Sequence, residues 1–286
     1  MERILVTGAT GQVGTAVVET LVTRGIFVRA AARRVSTISG TEHIEPVAFD
    51  YNDPGTYQRV LSDITGIFLV VPPLDPKAHR KLMPFIDRAK ESGVRHIVFN
   101  SVFGFNPGDE GPLQLIERHL LGSGMGCTIL RPNFFMENFT TGFIGTLAAG
   151  GEISLAADNG KTSFISVKDI AEAAARSFQE KRYGAEYDLS GPEALDYAEV
   201  ARIISNFSGR EITYRPISEN TMMQRARQSR WPEEAVRYLA DLYAAVRAGV
   251  MAEVTDGVRR ATGRSPISFK DFARKNASYW RMEKAA

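Results

Sequence analysis

The sequence holds a single cysteine, Cys127, among 286 residues. One thiol cannot close a disulfide within the chain or build a cysteine-cluster metal site. Its setting, Cys127-Thr128-Ile129-Leu130, reads as a buried strand. Histidine is nearly as scarce, at four residues, and no two are spaced to share a metal ion with a carboxylate, so no metal is expected. An excess of one charge sign is also missing. The 35 Lys and Arg against 33 Asp and Glu leave +2, too weak a field to suggest nucleic acid as a partner. No apolar run has the length to cross a bilayer, and no charged leader with an apolar segment stands ahead of the first strand. A cytoplasmic protein with no membrane partner is the expectation. Internal repeats and low-complexity linkers are absent, and nothing in the sequence speaks to oligomeric state. What remains, with 44% hydrophobic and 24% charged residues, is the make-up of a globular enzyme large enough for a full core.

The informative stretch starts at the third residue. Arg3-Ile4-Leu5-Val6-Thr7-Gly8-Ala9-Thr10-Gly11-Gln12-Val13-Gly14 is an apolar strand running into a glycine-rich turn, followed by Val13, Val17 and Leu21 at helical spacing. The spacing points to a dinucleotide. Gly8 suits the tight turn, Gly11 lets backbone approach a pyrophosphate, and Gly14 lets the helix pack closely. The helix N-terminus then faces the phosphates with free N–H groups. Thr7, Gly8, Thr10, Gly11, Gln12 and Val13 are the expected cofactor-binding turn.

Strand-like runs at Ile4–Val6, Phe27–Ala32, Glu45–Phe49, Gly66–Val71, His96–Asn100 and Cys127–Leu130 alternate with helical ones. That alternation predicts an α/β fold with a parallel sheet covered by helices. One such helix carries Leu82, Phe85, Ile86 and Ala89 and closes at Gly93. After Arg131-Pro132 the pattern loosens into an aromatic-rich segment from Phe134 to Phe143, expected over the sheet's carboxyl edge. Val167 opens a helix with Asp169 in its first turn, Glu186–Leu189 resembles a strand, and the rest is mostly helical, including Pro232–Val246. The division expected is a dinucleotide-binding domain over 1–150 and a substrate-binding lobe over 151–286, with some later segments returning to the first domain.

The second strand ends in Ala32-Arg33-Arg34. NAD-binding sites place an acid there for the adenosine ribose, and an acid would repel a 2′-phosphate that a guanidinium holds with charge-assisted hydrogen bonds. NADP(H) is therefore the expected cofactor, with Arg33 as the phosphate ligand. The plainer reading leaves one or both arginines as solvated surface. Asp50-Tyr51, after the third strand, would lie near the adenine, although an aspartate there is also a common turn residue.

Together with Leu130-Arg131-Pro132-Asn133, Met136-Glu137-Asn138-Phe139 and Phe164-Ile165-Ser166-Val167-Lys168-Asp169-Ile170-Ala171, these residues resemble the NmrA-like branch of the atypical short-chain dehydrogenase/reductases. Within it, Val70-Val71-Pro72-Pro73, Phe85-Ile86-Asp87 and the Arg131–Phe139 segment are similar to ergot-alkaloid dehydrogenases, and more loosely to quinone oxidoreductases and triphenylmethane-dye reductases. The resemblance implies a Rossmann-like, doubly wound sheet holding NADPH and a smaller, mainly helical C-terminal lobe. It also implies Asn133 and Phe134 around the nicotinamide, while Val71, Pro72 and Pro73, which follow the fourth strand, are expected along the cofactor. The alternatives are a strand terminator for the prolines and loop packing for Asn133 and Phe134.

One departure from the wider family bears on mechanism. None of the nine tyrosines has lysine four residues later, so the Tyr-x-x-x-Lys dyad that moves a proton to a carbonyl oxygen is missing. The region where it is expected reads Gly111-Pro112-Leu113-Gln114-Leu115-Ile116-Glu117-Arg118-His119. Either the chain reduces a small molecule that needs little protonation, such as an iminium, a quinone or a conjugated system, or it is a redox-sensing regulator that binds NADP(H) without turnover. Ser101, at the end of the fifth strand, is the catalytic candidate; the alternatives are a loop cap or a cofactor contact. Asn100 beside it is a candidate cofactor contact. His119 reads as surface, Arg225–Trp231 as a solvated basic face, and Met222, Met223 and Trp231 as core or as the wall of an apolar pocket.

Overall fold

Strands that read as nearly unbroken apolar runs are strands buried on both faces. The computed structural model, which describes residues 2–72, 75–104 and 110–281, is built on them. In chain order the strands are β1 (Arg3–Thr7), β2 (Phe27–Ala32), β3 (Ile44–Ala48), β4 (Gly66–Val70), β5 (His96–Asn100), β6 (Gly126–Pro132), β7 (Glu152–Leu155), β8 (Ala185–Leu189) and β9 (Thr213–Pro216). The helices are α1 (Gln12–Val22), α2 (Tyr57–Leu61), α3 (Ala78–Glu91), α4 (Pro112–Gly122), α5 (Gly142–Gly150), α6 (Val167–Gln179), α7 (Tyr197–Ser208), α8 (Glu219–Gln228), α9 (Glu233–Arg247), α10 (Gly257–Thr262) and α11 (Phe269–Lys275).

Seven strands form one sheet in the order β3-β2-β1-β4-β5-β6-β8. The pairs from β3 through β6 are parallel. From β1 the chain moves outward to β2 and β3, then crosses back to β4 on the other side. The resulting switch point between β1 and β4 is where open α/β sheets leave a crevice for ligands. Alternate side chains explain the two covered faces. Leu5, Ile67, Leu69, Ile97 and Phe99 share a core with residues of α2, α3 and α4, while α1 and α6 pack together against the other side. The sheet is the doubly wound, Rossmann-like one expected, and the strands lie within a residue or two of where the sequence placed them.

The chain divides into two compact units. The first comprises Met1–Pro132, Val167–Asp188 and Arg260–Gly263, and the second Asn133–Ser166, Leu189–Arg259 and Arg264–Ala286. The second contains β7 paired in parallel with β9, neither of which the sequence pattern announces. β7 is four residues long and β9, Thr-Tyr-Arg-Pro, has one aromatic residue and no apolar alternation. Its core is aromatic. Phe139 lies edge-on to Phe164 and Phe269 at 5.2 and 5.3 Å, and the Trp280 indole N–H donates to the Phe139 carbonyl at 2.7 Å.

Two buried polar residues brace the first unit. Arg29, in β2, is 5% exposed, forks onto Glu45 at 2.8 and 3.0 Å, and donates to the carbonyls of Arg59, Val60 and Ser62 at the end of α2. A cation there satisfies the free carbonyls of a helix C-terminus. His96, at the start of β5, is enclosed between the rings of Phe178 and Tyr183.

Candidate functional site

At the carboxyl edge of the first unit's sheet, Gly8 takes φ +62°, a left-handed conformation that glycine adopts without strain. Its carbonyl accepts from the Gly11 N–H at 2.9 Å. A Cβ on Gly14 would come 2.1 Å from that same carbonyl oxygen, so only glycine lets α1 begin this close to the turn. Thr15 fastens the turn from below, its hydroxyl donating to the Ala9 carbonyl at 3.0 Å. The N-cap of α1 is Gly11, with no side-chain cap and no acid in the first turn. The first turn of α1 thus sets no acid of its own against the positive helix end. Gly8, Thr10 and Gly11 are exposed and Gln12 is half-buried, while the Val13 side chain belongs to the core and leaves only its backbone toward the edge.

Beside the turn, Arg33 and Arg34 follow β2. Both are exposed, and among the described residues neither has a hydrogen-bond or ion-pair partner. The register sets Ala32 opposite Ala48, so Asp50 follows the neighbouring strand at the same edge. Asp50 folds into its own turn, one oxygen accepting from both the backbone and side-chain amides of Asn52 at 2.9 Å.

Several candidates have their polar atoms spent inside the protein. Thr7 is fully buried. Its hydroxyl donates to the Phe68 carbonyl at 3.1 Å and accepts from the Val70 N–H at 2.9 Å, extending the β1–β4 ladder by one side chain. The Tyr51 hydroxyl donates to the Val70 carbonyl at 3.0 Å, and its ring packs edge-on to Phe49 and Phe85. Burial pushes that phenol's pKa well above its ordinary value. Val71 and Pro72 follow β4 half-buried; Pro73 lies outside the described residues.

The end of β5 combines an open group with an occupied one. Asn100 is 8% exposed, and its Oδ1 is buried with no hydrogen-bond partner among the described residues. Ser101 is also buried; its N–H donates to the Leu130 carbonyl at 2.8 Å and its hydroxyl donates to Oε1 of Glu117. Glu117 projects from α4, the helix that covers the region where a Tyr-x-x-x-Lys dyad is missing. It is forked by Arg131 of β6 at 3.0 and 2.6 Å to Oε2, and Arg131 reaches on to Glu186 at 2.5 Å. Burial alone would lower the Arg131 pKa, but Glu117 and Glu186 raise it overall, so the cation is fixed.

In the second unit, Asn133 is a structural knot. Its amide donates to the Ser163 hydroxyl at 2.8 Å and the Met251 carbonyl at 2.9 Å, its oxygen accepts from the Phe134 N–H at 2.8 Å, and its own N–H donates to Leu189 at 2.9 Å. Both side-chain N–H groups are therefore taken. The knot fixes Phe134, whose ring lies 6.2 Å from Tyr243. His119 pairs with Asp87 at 2.6 Å on the helical face. Met222 is buried, Trp231 packs on Phe143 at 6.2 Å, and Arg227 forks onto Glu233 at 2.9 and 2.8 Å. Among the described residues no group of three or more His, Cys, Asp or Glu could hold a metal ion, and no helix is long and apolar enough to cross a membrane.

The NmrA-like family profile matches residues 1–248. The chain belongs to the NmrA-like family. Among its relatives is the "uncharacterized oxidoreductase YesF" of Bacillus subtilis, 32% identical over 281 residues, covering 97% of this chain and 96% of the relative. The agroclavine dehydrogenase of Claviceps fusiformis is 33% identical over 246 residues, covering 82% of this chain and 84% of the relative. A solved structure of similar fold is the Citrobacter sp. triphenylmethane reductase complexed with NADP(H), with a TM-score of 0.81 at 23% identity, covering 96% of this chain and 99% of that one. In this NmrA-like chain the residues that sequence reading missed are Thr15 at the turn and, apart from it, the Glu117–Arg131 pair. A carboxylate flanked by apolar Leu115, Ile116 and Leu120 on a helix was the available signal for Glu117, since a buried acid requires a partner.

Proposed function

We propose that this NmrA-like protein is an NADPH-dependent reductase of a small, electron-deficient organic molecule. The observation that carries the cofactor is the pairing of two positive features at one sheet edge. These are the start of α1, with a glycine N-cap and no acid in its first turn, behind a turn that only Gly14 permits, and the exposed guanidinium of Arg33 one strand away, which has no partner among the described residues. The first fits a pyrophosphate and the second a 2′-phosphate. The orphaned Asn100 Oδ1 adds a hydrogen-bond acceptor, which suits an N–H or O–H of the same ligand. Bound NADPH would supply the hydride.

The residues at the edge then decide the substrate class. Gly8, Gly11 and the α1 N–H groups hold and orient the dinucleotide, with Val71 and Pro72 flanking it. Thr7 and Tyr51 act one layer below, keeping β1, β4 and the loop after β3 in register. The sequence has no tyrosine with lysine four residues later to protonate an oxygen, so a substrate that takes hydride without prior protonation fits best: an iminium, a quinone or a conjugated cation. The name of one relative, agroclavine dehydrogenase, supports an oxidoreductase of a small organic molecule.

The test is NADPH oxidation against a panel of quinones, cyclic iminium ions and triphenylmethane dyes, with NADPH affinity measured in parallel. Turnover with at least one acceptor is expected. Tight binding with no turnover across the panel would instead support a redox-sensing regulator, the reading that the missing dyad otherwise favours.

A further inference from the structure

Ser101, Glu117 and Arg131 form a chain of polar groups whose direction can be read atom by atom. Arg131 has only donors, and two of its nitrogens face Glu117. Both Glu117 oxygens accept from Arg131, so the group offers Ser101 only an acceptor. The Ser101 hydroxyl must therefore be the donor in its bond to Glu117. A hydroxyl has one proton and two lone pairs, so with its proton turned inward Ser101 has only lone pairs left for a ligand. We infer that the Glu117–Arg131 pair makes Ser101 a hydrogen-bond acceptor at the carboxyl edge of β5, so that the ligand atom beside it is an N–H, an O–H or a cationic centre and not a carbonyl oxygen.

The inference rests on the reductase reading for its consequence but not for its geometry. A phenol backed by lysine presents a proton to the substrate; a carboxylate backed by arginine draws one away. Glu117 is thus a positioning residue, acting on the ligand only through Ser101. An oxygen gaining negative charge during hydride transfer finds no donor in Ser101, whereas a cation that hydride neutralises needs none. The arrangement favours cationic acceptors over carbonyl ones through the direction of one proton.

Glu117→Gln should reverse that direction. Its amide oxygen would face Arg131, its amide N–H would donate to Ser101 Oγ, and the Ser101 proton would be free to point outward. The measurement is kcat/KM for a quinone and for a triphenylmethane dye cation. The quinone-to-dye ratio should rise about tenfold in Glu117→Gln, a fraction of what one oxyanion donor contributes. In Glu117→Gln combined with Ser101→Ala the gain should disappear. An unchanged ratio, or one that rises equally without Ser101, overturns the inference.

The second measurement is independent of turnover and of any variant folding. In the native protein, the Ser101 hydroxyl proton should be protected from solvent exchange by NMR and show a cross-relaxation contact to the Glu117 side chain. A freely exchanging Ser101 proton overturns the inference. Failure of both acceptors to be reduced by the native protein counts against the reductase reading alone, since the NMR result still decides which way Ser101 points.

Discussion

Arg33 and Asn133 are both polar residues just past the end of a strand, yet one is exposed and the other buried. Arg33 is exposed and unpartnered among the described residues, so whatever it binds comes from outside the described structure. Replacing it with Ala should weaken NADPH by about ten- to a hundredfold, the worth of one or two charge-assisted hydrogen bonds, and leave NADH nearly unchanged. Calorimetric titration of both cofactors checks this, and equal losses would remove Arg33 from the 2′-phosphate. Asn133 is 2% exposed and satisfied by Ser163 and Met251. Asn133→Ala strands those partners, so its first effect should be a loss of stability of about 2–3 kcal/mol in urea unfolding. A variant as stable as the native protein would mean that the knot is dispensable. The position of Arg33 is legible in the sequence because it depends only on following a strand beside a glycine turn. The roles of Asn133 and Thr7 are not, because they depend on partners 118 and 63 residues away.

Among the elements, the glycine turn and the first parallel strands announce themselves because apolar runs, glycine spacing and helical periodicity all agree there. β7 and β9 are silent because four-residue strands carry too few alternations, and β9 ends in proline. The turn also allows a sharp test of the element as a whole. Gly14→Ala places a methyl 2.1 Å from the Gly8 carbonyl oxygen, which only a displacement of α1 from the turn can relieve. Affinity for NADPH should fall by more than about tenfold, since the phosphate-facing N–H groups move with the helix, while far-UV circular dichroism stays close to native. Native affinity in Gly14→Ala would show that the start of α1 does not set the dinucleotide's position.

The stability of the molecule as a whole should carry the mark of one buried ring. His96 is 4% exposed and its Nε2 lies 2.9 Å from Thr128 Oγ1. That hydroxyl already donates to the Arg182 carbonyl at 2.7 Å, so the bond to His96 needs a proton on Nε2, which the neutral ring supplies. Burial between Phe178 and Tyr183 lowers the pKa from 6.5 to about 4. In the unfolded chain the ring takes up a proton near pH 6.5, whereas in the folded protein it resists until about pH 4. Between those values the unfolded state binds more protons, so stability is fully present above pH 6.5 and falls as the pH drops toward 4. The loss attributable to His96 should approach about 3 kcal/mol at the acid end. Urea midpoints of the transition that reports the first unit, taken from pH 7.5 downward, should show this decline in the native protein and a shallower one in His96→Gln. Parallel profiles for the two proteins would mean that the ring is already solvated in the folded state, and that acid sensitivity in this range comes from carboxylates.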